Sequence, residues 1–478
     1  MKITLANTSL LLIGAFYIIT AFCNLPSLNI GDDEAIYLSA SKTLAEDGVY
    51  GIKTNYGYIP YWQKIRGGPT IIVPTAILFK IFGFNPFLPR YLNTFISISA
   101  GFILFCLTKK LFGQRTALLA LFFLSISFYL PIEDTSIYTP INRYLNGEML
   151  ALLFLLLFML AFHKYTKCES AKNLGVSGLL LGLSALTKMH FLIILLPTII
   201  VLYNRTAHYN KNKRLMTFAI ATIAALLPLT FWVLWAGEHS ELGLYEYTKL
   251  FFNFEGKSLS HSIIKWGQNL YGIFQIAPNT LEPIILFPSL ALSFYRIINC
   301  EDKNKQTKML LLLTVCFWMM WYCVSAGYPR YLMPGILIGN IFTAWTFTHF
   351  LKNKAAVPFF AVTLILVITP ALTLTLQRTI KTNETKWVTP LKDAVYELIP
   401  KNSKIEIKDF ELYSLSKDYQ IQTTPSKVDN YDPAYEGFNY IIGGFFDDYS
   451  LYEYTLNKHR WEEIYSNGAY RIYKLISL

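Results

Sequence analysis

Long apolar segments separated by short polar linkers make up the first 376 residues of the chain. Such segments run for about 18 residues or more, the length that crosses the hydrocarbon core of a bilayer. The pattern therefore predicts a polytopic α-helical membrane protein with about 11 transmembrane helices. The predicted helices are 4–23, 86–108, 116–131, 147–163, 173–188, 190–204, 215–236, 281–298, 308–326, 331–350 and 356–376.

Two apolar segments have lengths that do not match a single membrane-spanning helix. Residues 70–82 are apolar over only about a dozen positions, too few to span a bilayer, so we expect a juxtamembrane or re-entrant helix there. Residues 173–204 are too long for one upright helix and carry Lys188 near the middle. A hairpin with Lys188 at its tip is the favoured interpretation, and a single tilted helix is the alternative.

The charge distribution predicts which side of the membrane each linker occupies. The chain has a formal net charge of +11, and its basic residues concentrate in the linkers between apolar segments. This is the positive-inside pattern of membrane proteins and not the basic surface of a nucleic-acid-binding protein. The loops 24–85 and 237–280 are then predicted to lie outside the cytoplasm. The basic linker residues are Lys109, Lys110, Arg115, Lys164, Lys167, Lys172, Arg205, Lys211, Lys213, Arg214, Arg296, Lys303, Lys305, Lys308, Lys352 and Lys354.

The region after residue 381 is polar and mixed in periodicity. It predicts a helix at 387–398, strands at 404–407 and 440–442, and a hairpin at 461–475 that turns at Asn467-Gly468. We therefore expect two domains. Residues 1–376 would form the transmembrane domain, including the outer loop 24–85, and residues 381–478 a small extracytoplasmic α/β domain.

Acidic residues follow the first predicted helix at Asp32-Asp33-Glu34. Carboxylates at this position are typical of a helix N-terminus, where they complement the helix dipole. A carboxylate at the membrane surface is equally suited to take a proton from an acceptor. The aromatic residues between Tyr50 and Trp62 have two interpretations as well, an interfacial aromatic belt or a wall that stacks on sugars.

Cations lie on the same predicted outer face. Lys64 and Arg66 precede Gly67-Gly68-Pro69, and four more cations lie at the outer ends of predicted helices. Each could reach the lipid headgroups as a single side chain, but together they would suit a phosphate group. Glu148 starts a predicted helix on this face, where it would bind substrate or pair with Arg143. The four helix-end cations are Arg90, Arg143, Lys188 and Arg330.

Several short motifs, in this order, resemble those of the GT-C superfamily of polyprenyl-phosphate-sugar-dependent glycosyltransferases. The resemblance is strongest to protein mannosyltransferase-like and aminoarabinose transferase-like members, and it covers residues 1 to about 376. One departure is Gln63-Lys64-Ile65, where aminoarabinose transferases carry Glu-Lys-Pro. The matching motifs are Asp33-Glu34, Pro89-Arg90-Tyr91, Arg143 with Gly147-Glu148, Leu186-Thr187-Lys188 and Pro329-Arg330-Tyr331-Leu332-Met333-Pro334.

The resemblance implies the GT-C fold and a hexosyl or pentosyl glycosyltransferase. Asp33 would be the catalytic base, with Glu34 supporting it, and Lys188, Arg330 and Arg90 would hold the lipid phosphate. Because a polyprenyl phosphate leaves as a stable anion, one base and a cationic cradle suffice for an inverting displacement. The remaining substrate-binding candidates are Lys64, Arg66, Arg143, Glu148 and Tyr331.

The expected partners are a polyprenyl-phosphate sugar donor, membrane lipids, and an acceptor that is a lipid, a protein or a glycan. The expected location is the bacterial inner membrane, with the active site outside the cytoplasm. No cofactor is required by the sequence, and dependence on a divalent metal is left open because some relatives use an acidic residue near Glu148 for that purpose. The alternative function is a lipid-linked sugar flippase or transporter, but its ionisable groups would lie near the bilayer midplane.

Overall fold

The computed structural model describes most of the chain, and two compact units emerge from its contacts. The first unit comprises Met1–Cys23, Gly67–Thr70 and Tyr91–Lys381, and the second comprises Asn24–Arg66, Ile71–Arg90 and Thr382–Leu478. Apart from a few single positions, the described residues are 5–22, 32–54, 57–60, 68–126, 129–132, 135–140, 147–238, 266–270, 282–300, 302–325, 329–351, 388–407, 418–422, 437–443, 459–467 and 470–477.

Helices form at the predicted apolar segments throughout the described part of the chain. The segment 356–376 lies almost wholly outside the described residues, so the number of eleven spans stays a prediction. The helices are α1 (Leu5–Phe22), α2 (Asp32–Asp47), α3 (Pro69–Phe82), α4 (Leu88–Phe112), α5 (Gln114–Ile126), α6 (Glu148–Cys168), α7 (Ala171–Thr187), α8 (Leu195–Arg205), α9 (Lys211–Glu238), α10 (Glu282–Ile298), α11 (Lys305–Val324), α12 (Pro329–Phe350) and α13 (Val388–Leu398).

Four of the described helices are long and apolar enough to cross a membrane by length and composition: α4, α6, α9 and α11. One predicted boundary is wrong. Residues 116–131 were expected to be one helix, but α5 ends at Ile126 and a hairpin follows, formed by β3 (Tyr129–Ile132) and β4 (Thr135–Pro140). Pro131 disfavours a helix that continues as far as residue 131, because a proline inside a helix removes a hydrogen bond and clashes with the preceding turn.

Close packing of α7 against its neighbours organises the first unit. Gly178 and Gly182 lie one turn apart on the face of α7 that meets α9. A Cβ atom at Gly182 would lie 2.3 Å from the carbonyl oxygen of Ala225, and one at Gly178 would lie 2.7 Å from the Cβ of Ala224. Small residues at this spacing let two helix backbones approach, as in many membrane-helix pairs.

The segment 173–204 is a hairpin, as favoured from the sequence. Helix α7 ends at Thr187, Lys188 is extended (φ −144°, ψ 110°), and a 3-10 helix, Met189–Ile194, leads into α8. At the far end of α8, Arg205 Nη2 lies 2.8 Å from Glu169 Oε1, just before the start of α7. A single tilted helix would separate these residues by about 50 Å, so that alternative is wrong.

Contacts between linkers place the basic residues at one end of the first unit. Besides the Arg205–Glu169 pair, Lys167 donates a 3.1 Å hydrogen bond to the carbonyl of Lys303, which joins the connection between α6 and α7 to the linker before α11. Lys308 lies over the ring of Phe112, 5.0 Å from its centroid. Glu148 and Lys188, at the opposite ends of α6 and α7, therefore lie at the other end of this helix bundle. That the basic end is cytoplasmic stays a prediction.

The second unit contains α2, α3, a small hairpin and a mixed sheet. The hairpin pairs β1 (Gly51–Thr54) with β2 (Gly57–Pro60), and the sequence did not predict it. Lys80 in α3 donates a 3.2 Å hydrogen bond to the carbonyl of Ala45 at the end of α2. Helix α3 therefore forms where residues 70–82 were expected to be helical, while its position in a membrane stays a prediction.

A five-stranded sheet has the order β6-β5-β7-β9-β8 and is mixed. Its parallel part and its antiparallel hairpin coincide with the strands expected at 404–407, 440–442 and 461–475. Its core includes Ile405, Ile442 and Ile472, against which Leu391 and Val395 of α13 pack. A separate outer domain at 381–478 stays a prediction. The strands are β5 (Lys404–Ile407), β6 (Gln420–Gln422), β7 (Tyr440–Gly443), β8 (Arg460–Ser466) and β9 (Arg471–Ser477).

Candidate functional site

An ion pair fixes the start of α2 within the second unit. Glu34 and Arg90 are both fully buried. Arg90 Nε donates to Glu34 Oε1 at 2.8 Å and Nη2 donates to Oε2 at 2.6 Å, the bidentate geometry in which guanidinium and carboxylate bind most strongly. The pair connects the first turn of α2 with the first turn of α4.

This pairing bears on the roles expected for Glu34 and Arg90. Arg90 uses two of its five N–H groups on Glu34, so Glu34 already neutralises the charge that a phosphate would otherwise balance. The contact instead suits a positioning role, because it fixes the helix turn that carries Asp33. The side chains of Asp32 and Asp33 lie outside the described atoms, although their backbone begins α2. The catalytic role of Asp33 stays a prediction.

A second buried ion pair lies in the first unit, between α6 and the end of α7. Lys188 Nζ lies 3.3 Å from Glu148 Oε1, and both side chains are nearly fully buried. Gly147, with φ 82°, turns the chain into α6, a conformation that favours glycine. Glu148 is therefore the first residue of the helix, where its charge complements the dipole. The sequence had suggested Arg143 as its partner, but the described partner is Lys188.

The carboxylate of Glu148 has few contacts for a buried charge. Neither oxygen accepts a hydrogen bond from any residue that the structure describes. Lys188 is close enough for an ion pair. Residues 141–144 and 146, just before Glu148, lie outside the described residues, so Lys188 is the partner that the described part of the chain provides.

Thr187, the residue before Lys188, accepts hydrogen bonds from the segment at the start of α3. Gly68 N–H donates to the carbonyl of Thr187 at 3.1 Å, and Thr70 Oγ1 donates to Thr187 Oγ1 at 2.8 Å. Gly68 is required for this approach, because a Cβ atom there would lie 1.6 Å from the carbonyl oxygen of Leu186. The Gly67-Gly68-Pro69 and Leu186-Thr187-Lys188 motifs thus meet, a contact that the sequence did not predict. The only signal for it was the pair of glycines.

Aromatic rings connect the residues after Lys188 with the start of α12. The His190 ring stacks on Trp321, with centroids 4.5 Å apart and planes 10° apart, and lies 5.3 Å from the Tyr331 ring. Trp318 is fully buried beneath them and donates its indole N–H to the carbonyl of Tyr331 at 2.7 Å. Two expected ligand positions, Lys188 and Tyr331, therefore lie on neighbouring segments. The sequence singled out neither tryptophan.

Asn269 anchors part of the predicted outer loop 237–280 to the end of α11. Its side-chain amide lies within hydrogen-bonding distance of three carbonyls, those of Tyr322 (3.1 Å), Cys323 (3.0 Å) and Ser325 (3.0 Å). Carbonyls at a helix C-terminus have no partner within the helix, so Asn269 satisfies groups that would otherwise be left open. This contact was not predicted from the sequence.

Other expected site residues lie outside the description. They are Lys64, Arg66 and Arg143, together with the side chain of Arg330, whose backbone forms the first turn of α12. Within the described part of the chain, no group of three His, Cys, Asp or Glu side chains comes together to hold a metal ion.

Comparisons with known proteins identify the class of fold. The chain resembles a crystal structure of ArnT from Cupriavidus metallidurans bound to undecaprenyl phosphate, with a TM-score of 0.65 and 13% identity over 97% of each chain. The same enzyme in the apo state gives a TM-score of 0.64 at 13% identity over 98% of each chain. The protein thus has the fold of the GT-C glycosyltransferases.

Two further comparisons support the same class. The oligosaccharyltransferase of Archaeoglobus fulgidus, solved in complex with Zn and sulfate, gives a TM-score of 0.54 at 13% identity over 91% of this chain and 68% of that chain. The family model described as dolichyl-phosphate-mannose-protein mannosyltransferase matches residues 68–235. No curated protein sequence matches the chain significantly. The resemblance to GT-C enzymes stated from the sequence motifs is confirmed.

Proposed function

We propose that the protein is a glycosyltransferase that moves a sugar from a polyprenyl-phosphate carrier to an acceptor at the outer face of a membrane. The observation that carries this proposal is Lys188, which is only 5% exposed and lies at the end of the helix bundle opposite the basic linkers. A buried cation is stable only with an anion that shares its burial. Glu148 balances the charge, and a lipid phosphate would add strong hydrogen-bond acceptors.

Arg330 also belongs to the proposed phosphate cradle. It directly precedes Tyr331, whose ring contacts His190 two residues after Lys188. This ring contact supports a cradle in which Lys188 and Arg330 neutralise one phosphate. Lys64, Arg66, Arg143 and Tyr331 are proposed as further substrate-binding residues.

The proposed reaction is an inverting displacement at the anomeric carbon of the donor sugar. Asp33 takes the proton from the acceptor hydroxyl while the oxygen of that hydroxyl forms a bond to the anomeric carbon. The bond between the anomeric carbon and the phosphate oxygen breaks, and its electron pair leaves with the phosphate. The cations stabilise the charge on the leaving group, so no general acid has to protonate it.

The nature of the donor is supported by what the similar proteins bind. ArnT from Cupriavidus metallidurans was solved with undecaprenyl phosphate. The archaeal oligosaccharyltransferase AglB, which gives a TM-score of 0.51 at 12% identity over 94% of this chain and 70% of that chain, was solved with an inhibitory peptide and a dolichol-phosphate. We infer that the donor is a polyprenyl-phosphate sugar and that the transferred group is hexosyl or pentosyl. The acceptor is a lipid, a protein or a glycan at the bacterial inner membrane.

Binding of undecaprenyl phosphate to the purified protein tests the proposal. Lys188→Ala should weaken binding by about 10- to 150-fold, the loss of one or two charge-assisted hydrogen bonds. Lys172→Ala is the matched control, because Lys172 is exposed and lies near the opposite end of the same helix. Equal affinities of the wild type and the Lys188→Ala variant would remove the main support for the proposal.

The identity of the acceptor and the class of activity require a second measurement. Mass spectrometry of envelope glycolipids and glycoproteins, with and without the protein, should reveal one class of molecule that loses a sugar. Loss of a transporter would instead leave the lipid-linked sugar intact on its original side of the membrane. A transporter would also release no polyprenyl phosphate.

A further inference from the structure

The carboxylate of Glu148 lies where it affects any anion that binds Lys188. Its oxygen Oε1 is 3.3 Å from Lys188 Nζ. A phosphate oxygen hydrogen-bonded to the same ammonium would be about 2.8 Å from Nζ, so it would lie within about 6 Å of Oε1. Glu148 is 2% exposed, and a buried pair of charges is only weakly screened. Glu148 therefore repels the phosphate that Lys188 attracts.

Donor and product of the proposed reaction differ in charge at this phosphate. The donor is a phosphodiester with one negative charge. When its bond to the sugar breaks, the electron pair stays on the phosphate oxygen and the product is a phosphomonoester. Such a group carries about −1.5 to −2 charges at neutral pH. Repulsion from Glu148 is therefore stronger for the product than for the donor.

We propose that Glu148 is a specificity-determining residue that makes the Lys188 site discriminate against the phosphomonoester and so promotes release of polyprenyl phosphate. The inference rests on the proposed function, because it requires the donor phosphate to bind Lys188. The 3.3 Å contact between Lys188 and Glu148 keeps the carboxylate charge beside any anion that this ammonium binds.

The test compares two ligands across matched variants. The ligands are undecaprenyl phosphate and its methyl phosphodiester, which cannot transfer a sugar, and the readout is the ratio of their dissociation constants. Glu148→Gln removes the charge and keeps the size. It should shift the ratio about 10- to 100-fold in favour of the monoester, the effect of a further half to one charge about 6 Å from Glu148 at an effective dielectric constant of about 20. A displaced Lys188 would weaken the monoester more than the diester, because the monoester carries the larger charge, so it would shift the ratio in the opposite direction.

Two controls complete the design. Glu148→Asp keeps the charge and should keep the wild-type ratio. Glu169→Gln removes a carboxylate that pairs with Arg205 at the opposite end of the bundle, and it should leave the ratio unchanged. A Glu148→Gln variant with the wild-type ratio would overturn the inference. Lys188→Ala should weaken both ligands, and unchanged binding of both would instead overturn the proposed function.

The wild-type protein provides a test that does not depend on the folding of a variant. Cations alone would favour the more highly charged monoester. With Glu148 beside Lys188, that preference should be reduced to less than tenfold in the wild type. A wild-type preference of tenfold or more for the monoester would contradict the proposed discrimination.

Discussion

The guanidinium of Arg90 donates to both carboxylate oxygens of Glu34, and neither side chain is exposed to solvent. Removal of one partner from such a pair leaves an uncompensated buried charge, which costs about 3–5 kcal/mol. Glu34→Gln or Arg90→Gln should therefore lower the free energy of unfolding by that amount, as measured by thermal or denaturant unfolding in detergent. Joint replacement by Glu34→Leu and Arg90→Met should recover much of the loss.

An exposed ion pair in the same unit is the control for this prediction. Lys53 Nζ lies 3.1 Å from Asp47 Oδ2, and the lysine side chain is largely exposed. Exposed pairs contribute little because both charges remain solvated. Lys53→Ala should therefore leave the unfolding transition almost unchanged. If Glu34→Gln were equally mild, the Glu34–Arg90 pair would not be essential for the start of α2.

Close approach of Gly68 to Leu186 gives a prediction about the Lys188 site. A methyl group at position 68 would overlap the Leu186 carbonyl oxygen, so Gly68→Ala must move residue 68 away from the end of α7. Binding of undecaprenyl phosphate should fall at least tenfold, because the hydrogen bonds from Gly68 and Thr70 to Thr187 would be lost together.

Gly175 offers a matched control on α7. A Cβ atom at Gly175 would meet nothing within 4 Å. Gly175→Ala should be neutral or slightly stabilising, since alanine is the better helix former by roughly 0.5–1 kcal/mol. If both variants bound undecaprenyl phosphate like the wild type, the contact between Gly68 and Thr187 would have no part in shaping the site.

The orientation of the bundle can be tested with reporter fusions. Since the basic linkers lie together at one end, the positive-inside rule predicts that this end is cytoplasmic and that the chain beyond residue 381 lies outside. A reporter active only in the cytoplasm should be silent when fused after Leu478 and active when fused after Asn299, in a basic linker. Strong activity after Leu478 would contradict the outer-face proposal.

Local patterns predicted the elements of this protein better than its contacts. The break at Lys188 could be predicted because residues 173–204 form a mostly apolar segment with a lysine near its middle. This segment is longer than one membrane span. The strand at 404–407 could be predicted from its own residues. The contact of Gly68 with Thr187 joins positions 119 residues apart, and no local periodicity encodes such a pairing. The same holds for Asn269 and the end of α11.

For the site residues as well, the sequence predicted single positions and not the contacts between them. The motifs singled out Glu34 as a support for Asp33, Arg90 and Lys188 as phosphate ligands, and Glu148 as a substrate-binding residue or a partner of Arg143. The structure pairs them as Glu34 with Arg90 and Glu148 with Lys188. A sequence shows which charges are near a helix end, but the choice of partner depends on how the helices pack.

The final prediction concerns Asp33, whose backbone lies in the first turn of α2, one residue before Glu34. Asp33→Asn keeps the size of the side chain and removes its ability to take a proton. If Asp33 is the base, turnover should fall by about 10²- to 10⁴-fold, the usual contribution of a positioned base, while affinity for undecaprenyl phosphate and the unfolding temperature stay unchanged. Asp32→Asn is the matched control and should cost much less. A collapse of turnover in Asp32→Asn with near-normal turnover in Asp33→Asn would move the role to Asp32. Glu34→Gln is expected to behave differently from both, since it should lower the unfolding temperature together with the activity. If neither aspartate mattered for turnover, the proposed displacement would lack its base.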